Sequence, residues 1–152
     1  MRSPARPVLL LALAFCSFST GASAQTASSE ACASLAEQKL PNTTITSAQS
    51  LTSGTFTPTG STNPIANLPP FCRVAGVIAP TSDSQILFEV WLPLEKWNGK
   101  FAGVGNGGWA GVISFPQLAD QLRRGYAAAS TNTGHEAAGG MNAARFAFEK
   151  PE

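Results

Sequence analysis

Lys100-Phe101-Ala102-Gly103-Val104-Gly105-Asn106-Gly107-Gly108-Trp109-Ala110-Gly111 carries a short apolar strand straight into a loop that is nearly all backbone. Glycine at that density costs conformational entropy on folding, so a chain keeps it where positive φ is needed or where something must approach bare amides. Taken alone, the stretch fits three identities: an oxyanion loop of a hydrolase, a dinucleotide loop, or a plain flexible connection. The elements on either side choose among them.

Upstream, Cys72-Arg73-Val74-Ala75-Gly76-Val77-Ile78 and Gln85-Ile86-Leu87-Phe88-Glu89-Val90-Trp91-Leu92-Pro93 read as two strands of a hairpin across the turn-rich residues 80–84. Asn98-Gly99 favours a tight turn, and a third strand follows over 100–104. Downstream, Leu118 and Leu122 lie one helical turn apart within 116–124, Arg123 and Arg124 make the last turn basic, and Gly125 supplies the stop. Residues 126–131 are small and apolar enough for a buried parallel strand. The predicted fold class is therefore α/β, with the order hairpin, strand, glycine loop, helix, strand. An α/β-hydrolase sheet opens in that order, and there the loop between the third strand and the first helix gives a backbone N–H to the oxyanion hole.

Gly103, Gly105 and Gly108 also satisfy the spacing G-x-G-x-x-G. A dinucleotide loop opens directly into a helix and is followed about 20 residues later by an acidic residue at a strand end. Here residues 109–115 intervene and Asp120 falls inside the predicted helix. The oxyanion reading asks for amides with no side chain in front of them, and its candidate donor is the N–H of Gly107, with Gly108 second. One such donor is worth about 3–4 kcal/mol to a transition state that builds charge on a carbonyl oxygen. Trp109 is the candidate substrate contact as a pocket wall, with ordinary packing as the competing reading.

The N-terminus sets the compartment. Arg2 and Arg6 precede an apolar run, and Ala22-Ser23-Ala24 offers small residues to a signal peptidase, so residues 1–24 read as an export signal cleaved after Ala24. The expected location is secreted or periplasmic, with no membrane contact after cleavage, since no later stretch approaches the ~20 apolar residues of a membrane span. Losing Arg2 and Arg6 turns ten basic residues into eight against nine acidic ones. That balance, sparse and mixed in sign, gives no footprint for nucleic acid.

Cys16 leaves with the signal, so Cys32 and Cys72 remain to pair with each other or with cysteines further along a longer chain. Together with the single His135 they do not make a zinc site, and no carboxylate cluster suggests calcium, so no cofactor is expected within these residues. Residues 25–70 read as an N-terminal part. It holds a helix over 30–39 started by Ser29, with Ala31 and Leu35 on its buried side, then edge strands at 43–46 and 54–57 and a polar surface connection over 58–70. Residues 71–152 read as the first part of the core. Glu149-Lys150-Pro151-Glu152 brings no closing element, so the expectation is the front portion of a longer protein.

The segments Cys32-Ala33-Ser34-Leu35, Phe71-Cys72-Arg73-Val74, Phe88-Glu89-Val90-Trp91-Leu92-Pro93, Trp97-Asn98-Gly99-Lys100-Phe101 and Gly105-Asn106-Gly107-Gly108 together resemble the start of the tannase and feruloyl esterase family. Thr131-Asn132-Thr133-Gly134-His135 is similar to that family's Asp-Thr-Gly-His, with Asn132 in place of the Asp. The resemblance implies secreted serine esterases of phenolic esters, feruloyl or galloyl in type, built on an α/β-hydrolase core with a large lid that carries calcium in the full-length protein. It assigns Cys32 and Cys72 to a structural disulfide and the Gly107 region to the oxyanion hole. It carries over no triad member. The family nucleophile sits in a Gly-Cys-Ser-x-Gly elbow, no G-x-S-x-G occurs in these residues, and acid and base follow the nucleophile in this fold. His135 is accordingly expected to orient a loop by hydrogen bonding. The lid and its metal ligands are expected beyond Glu152, and the chain alone is expected to be inactive and marginally stable. The reading from another class is a secreted glycan-binding or adhesion module, suggested by Thr/Ser-rich strands with Trp91, Trp97 and Trp109, which requires an all-β fold.

Overall fold

Short-period alternation in β-rich segments and one leucine pair at helical spacing produce a sheet with a single crossover. The computed structural model describes residues 29–136; the expected export signal lies outside them. Residues 29–34 are helical and tighten into the 3-10 turn Leu35–Glu37. There follow β1 (Thr43–Leu51), β2 (Phe71–Ile78), β3 (Ile86–Pro93), β4 (Phe101–Gly103), α1 (Phe115–Arg123) and β5 (Ala127–Thr131). The strands form one sheet in the order β1-β2-β3-β5-β4. Pairing is antiparallel from β1 through β3 to β5, and parallel between β5 and β4. The hairpin, third strand, helix and following strand thus stand where the sequence predicts them. A parallel neighbour needs a crossover connection, and α1 supplies it, which rules out the all-β architecture of the binding-module reading.

Register assigns each side chain to a face. Arg73 pairs with Trp91, Trp91 with Ala128, and Glu89 with Ser130, so these residues share the face covered by α1. Trp91 and Leu118 are fully buried there, with Phe71 and Leu122 nearly so. Each large apolar side chain removed from water in this way contributes ~1.5–3 kcal/mol. Gly125, at φ 79°, ends the helix, its N–H donating to the carbonyl of Leu122 at 2.9 Å. The opposite face gathers Cys72, Val74, Phe88, Val90 and Leu92 under the N-terminal helical segment. The edge of the sheet at β4 is open among the described residues, and Phe101 on it is 64% exposed.

Four expectations in the N-terminal part are corrected. The helix is shorter than 30–39, because Gln38 is already extended. Its inward side is Cys32 and Leu35 rather than Ala31 and Leu35, since the disulfide from Cys32 to Cys72 draws that side onto β2. Residues 54–57 form no second edge strand. Gly54 turns the chain at φ 75°, and Phe56 bonds only to Ile65 in an isolated bridge, while 43–46 extends to Leu51 as the single strand β1. The polar connection after Phe56 is not wholly a surface segment. Leu68 is buried in the α1-side core, Ile65 packs against it, and Arg123 clamps the loop through the carbonyls of Ala66 at 2.7 Å and Asn67 at 3.3 Å.

A charged pair crosses β2 and β3 on the helix-side face. Nε of Arg73 donates to Oε2 of Glu89 at 2.9 Å, a second guanidinium nitrogen pairs with Oε1, and the Trp91 indole N–H donates to Oε2 at 3.1 Å. Glu89 is only 3% exposed. Burial raises its pKa, while the hydrogen bond and charge of Arg73 and the indole bond pull it back.

Replacing Cys32 and Cys72 by serine releases a staple spanning 40 positions, and urea denaturation is expected to show a loss of about 3–4 kcal/mol. No loss would mean the crosslink leaves the unfolded chain unconstrained. For Glu89, a raised native pKa means that the folded state holds the proton more tightly than the unfolded chain. Its stabilising contribution is complete below pH 4.5 and is lost as pH rises through the raised value. The stability of the parent chain relative to Glu89→Gln is therefore expected to fall across that window, and a pH-independent difference between the two would contradict it.

Candidate functional site

Beyond Gly103 the ladder continues for one bond, from the N–H of Val104 to the carbonyl of Ala129 at 2.8 Å. The chain then leaves the sheet and is caught by Asn106, whose Nδ2 donates to the carbonyl of Thr131 at 3.0 Å. This tie fixes the glycine loop to the carboxyl end of β5. Residues 107–110 make a turn closed by the Ala110 N–H on the Gly107 carbonyl at 3.2 Å. Both central residues are left-handed, Gly108 at φ 61° and Trp109 at φ 60°, as in the mirror-image turns that glycine and asparagine usually form. Among the described residues, nothing accepts a hydrogen bond from the amides of Gly105, Asn106, Gly107, Gly108 or Trp109. The Trp109 side chain is 66% exposed.

The turn leans on the segment after β5. His135 places Nε2 2.8 Å from the Trp109 carbonyl and Nδ1 3.2 Å from the Thr133 hydroxyl. The hydrogen bond to a loop expected of this histidine is present. Gly111 packs so closely against it that a Cβ at position 111 would sit 2.0 Å from the His135 carbonyl oxygen. Asn132 holds the base of this assembly: its Oδ1 accepts from the amides of Leu87 at 2.9 Å and Gly134 at 3.1 Å. An asparagine fills both acceptor duties without burying a charge, and Asn132 is 4% exposed.

Beside the loop, on the helix-side face of the sheet, lies a cavity of about 590 Å³ bounded in part by Arg73, Leu87, Glu89, Gly111, Phe115 and Asn132. Gly107, Gly108 and Trp109 do not line it; loop and cavity meet at Gly111. Cys32 and Cys72 are joined, Cα to Cα 5.7 Å, on the opposite face and touch neither feature. Among the described residues no group of three His, Cys, Asp or Glu side chains converges.

Sequence reasoning singled out the turn but missed what secures it, Asn106, Gly111 and Asn132, and it also missed the Arg73–Glu89 pair on the cavity wall. A signal existed for that pair. Glu89 occupies the same side of its strand as Leu87 and Trp91, a charge at an inward position, and the hairpin register sets Arg73 opposite Trp91.

Comparison with known proteins agrees with this architecture. The family model described as tannase and feruloyl esterase matches residues 72–152. An uncharacterized esterase of Xanthomonas campestris pv. campestris is 47% identical over 134 residues, covering 87% of this chain and 23% of its own length. Feruloyl esterase C of Talaromyces stipitatus is 32% identical over 119 residues, 74% of this chain and 22% of that protein. Among solved structures, feruloyl esterase B from Aspergillus oryzae superposes with a TM-score of 0.64 at 29% identity, over 72% of this chain and 22% of that one. The chain thus spans less than a quarter of the length of these relatives. With a family model covering more than half of its residues, and with the parallel β4–β5 crossover in place, the chain belongs to the tannase and feruloyl esterase family of carboxylic ester hydrolases.

Proposed function

We propose that this chain supplies the oxyanion side of a secreted serine carboxylesterase that hydrolyses phenolic esters of feruloyl or galloyl type. One observation carries the reading: a run of backbone amides from Gly105 to Trp109, at the carboxyl end of a parallel strand, has no hydrogen-bond acceptor among the described residues. In ester hydrolysis a hydroxyl nucleophile adds to the carbonyl carbon, and the carbonyl oxygen takes up the negative charge. The N–H of Gly107, with that of Gly108, donates to this oxygen, and because the turn is already formed no reorganisation is needed as charge develops. The Trp109 indole, exposed beside these donors, stacks on the phenolic ring of the acyl group. The relatives named feruloyl esterases support the choice of substrate class.

The nucleophile, acid and base belong to the remainder of a full-length protein, since these 152 residues contain no G-x-S-x-G. Export rests on the N-terminal signal, with the disulfide as a second sign of an oxidising compartment. No helix among the described residues is long and apolar enough to cross a membrane.

In the full-length enzyme, Gly107→Pro deletes the proposed donor and is expected to lower kcat on methyl ferulate or methyl gallate by roughly 10²–10³-fold with a smaller change in KM. An unchanged kcat would remove Gly107 from the mechanism. The 152-residue chain assayed by itself is expected to show no turnover of either ester.

A further inference from the structure

Trp109 is in an unfavourable place. A bulky L-residue at φ 60° is crowded by its own Cβ, which is why the second centre of such a turn is usually glycine or asparagine. Packing of the side chain does not compensate, because the indole is 66% exposed. Nor does the N–H of Trp109 find an acceptor among the described residues. The contact that does hold this residue runs from its carbonyl to Nε2 of His135 at 2.8 Å. A carbonyl only accepts, so Nε2 carries the proton and is a donor spent on the backbone. Strain that persists must be over-determined by its surroundings, and here the surroundings are His135 and what fixes it in turn.

That fixation is extensive. The backbone of His135 is pressed against Gly111, two residues past Trp109, with no room for a Cβ between them. Its ring is steadied by the Thr133 hydroxyl at 3.2 Å, and the turn that bears it, with Thr133 at φ 58° and Gly134 at φ 82°, is held to β3 through Asn132. The glycine turn is thereby gripped at Trp109 and Gly111, while Asn106 grips it from the other side.

From this we infer that His135 is a positioning residue for the glycine turn: by holding the Trp109 carbonyl it locks a conformation the sequence disfavours and so presents the Gly107 and Gly108 amides in one fixed geometry. The inference deepens the esterase reading and rests on it. His135 does not exchange protons with substrate in this role.

The test is a double-mutant cycle in the full-length enzyme, with hydrogen exchange at the Ala110 amide, the bond that closes the turn, as a readout independent of activity. His135→Ala is expected to lower kcat on methyl ferulate by ~10–100-fold, the scale of a misplacement near 1 Å, with a smaller effect on KM. It should also accelerate exchange at Ala110. His135→Gln, which keeps an N–H donor at similar reach, should restore most of both. In a Trp109→Asn background, where the left-handed conformation is tolerated, removing His135 should cost less than about threefold relative to Trp109→Asn alone. Equal cost in both backgrounds, or unaltered exchange in both His135 variants, overturns the inference. Faster exchange in His135→Ala with kcat unchanged supports the grip on the turn and overturns the oxyanion reading instead.

Discussion

Because β4 and β5 run in the same direction, the chain must return across one face of the sheet between them, and that requirement arranges everything else in the molecule. The return path is α1, whose Leu118, Ala119 and Leu122 bury against Phe71, Trp91 and Ala128. The loop before α1 is consequently delivered to the carboxyl ends of β4 and β5. In open α/β sheets that rim is where ligands bind, and here it carries five successive backbone amides, Gly105 to Trp109, with no acceptor among the described residues. Short side chains in β5, three alanines and a serine before Thr131, keep the crossover close to the sheet.

The remaining polar groups on this face are satisfied in ways that tie elements together. Ser130 accepts the Ser114 amide at 3.1 Å just before α1, so the helix start is fixed to the strand that follows it. Arg73 and Glu89 satisfy one another across the hairpin, and the Trp91 indole completes the group. A buried pair of this kind is weak evidence for stability, since desolvation opposes its attraction, but losing one partner leaves the other charge buried alone. Its position on the cavity wall makes the wall polar on one side and apolar toward Phe115.

Most of the core order was legible because its signals are local. The hairpin announces itself by alternation and a turn-rich break, α1 by leucines four apart and a glycine stop, and the loop by composition alone. The short strand expected at 54–57 misled because Gly54-Thr55-Phe56-Thr57 has the residue types of a strand while Gly54 turns the chain away from the sheet. Composition records what a residue prefers, and pairing depends on what lies beside it. The same limit hid the supports of the candidate site. Glu89 meets a partner 16 residues away, Asn132 one 45 residues away, and His135 one 26 residues away. None of those separations leaves a periodic trace. Loop composition and the family resemblance pointed to Gly107 and Gly108 as candidate donors, but the contacts that shape their turn are ones that only the fold creates.

Among the described residues no strand pairs with the outer flank of β4, which has a consequence for geometry. The N–H and C=O groups on that side face outward, and a further strand joining there in the same direction would finish at the rim that bears the Gly107–Ala110 turn. Neighbouring strands stand about 4.8 Å apart, so a side chain just past the end of such a newcomer would start within a few ångströms of the bare amides. Under the proposed esterase role, the distance between an attacking group and its charge-stabilising partner would then be set by sheet spacing, a dimension that side-chain changes scarcely alter.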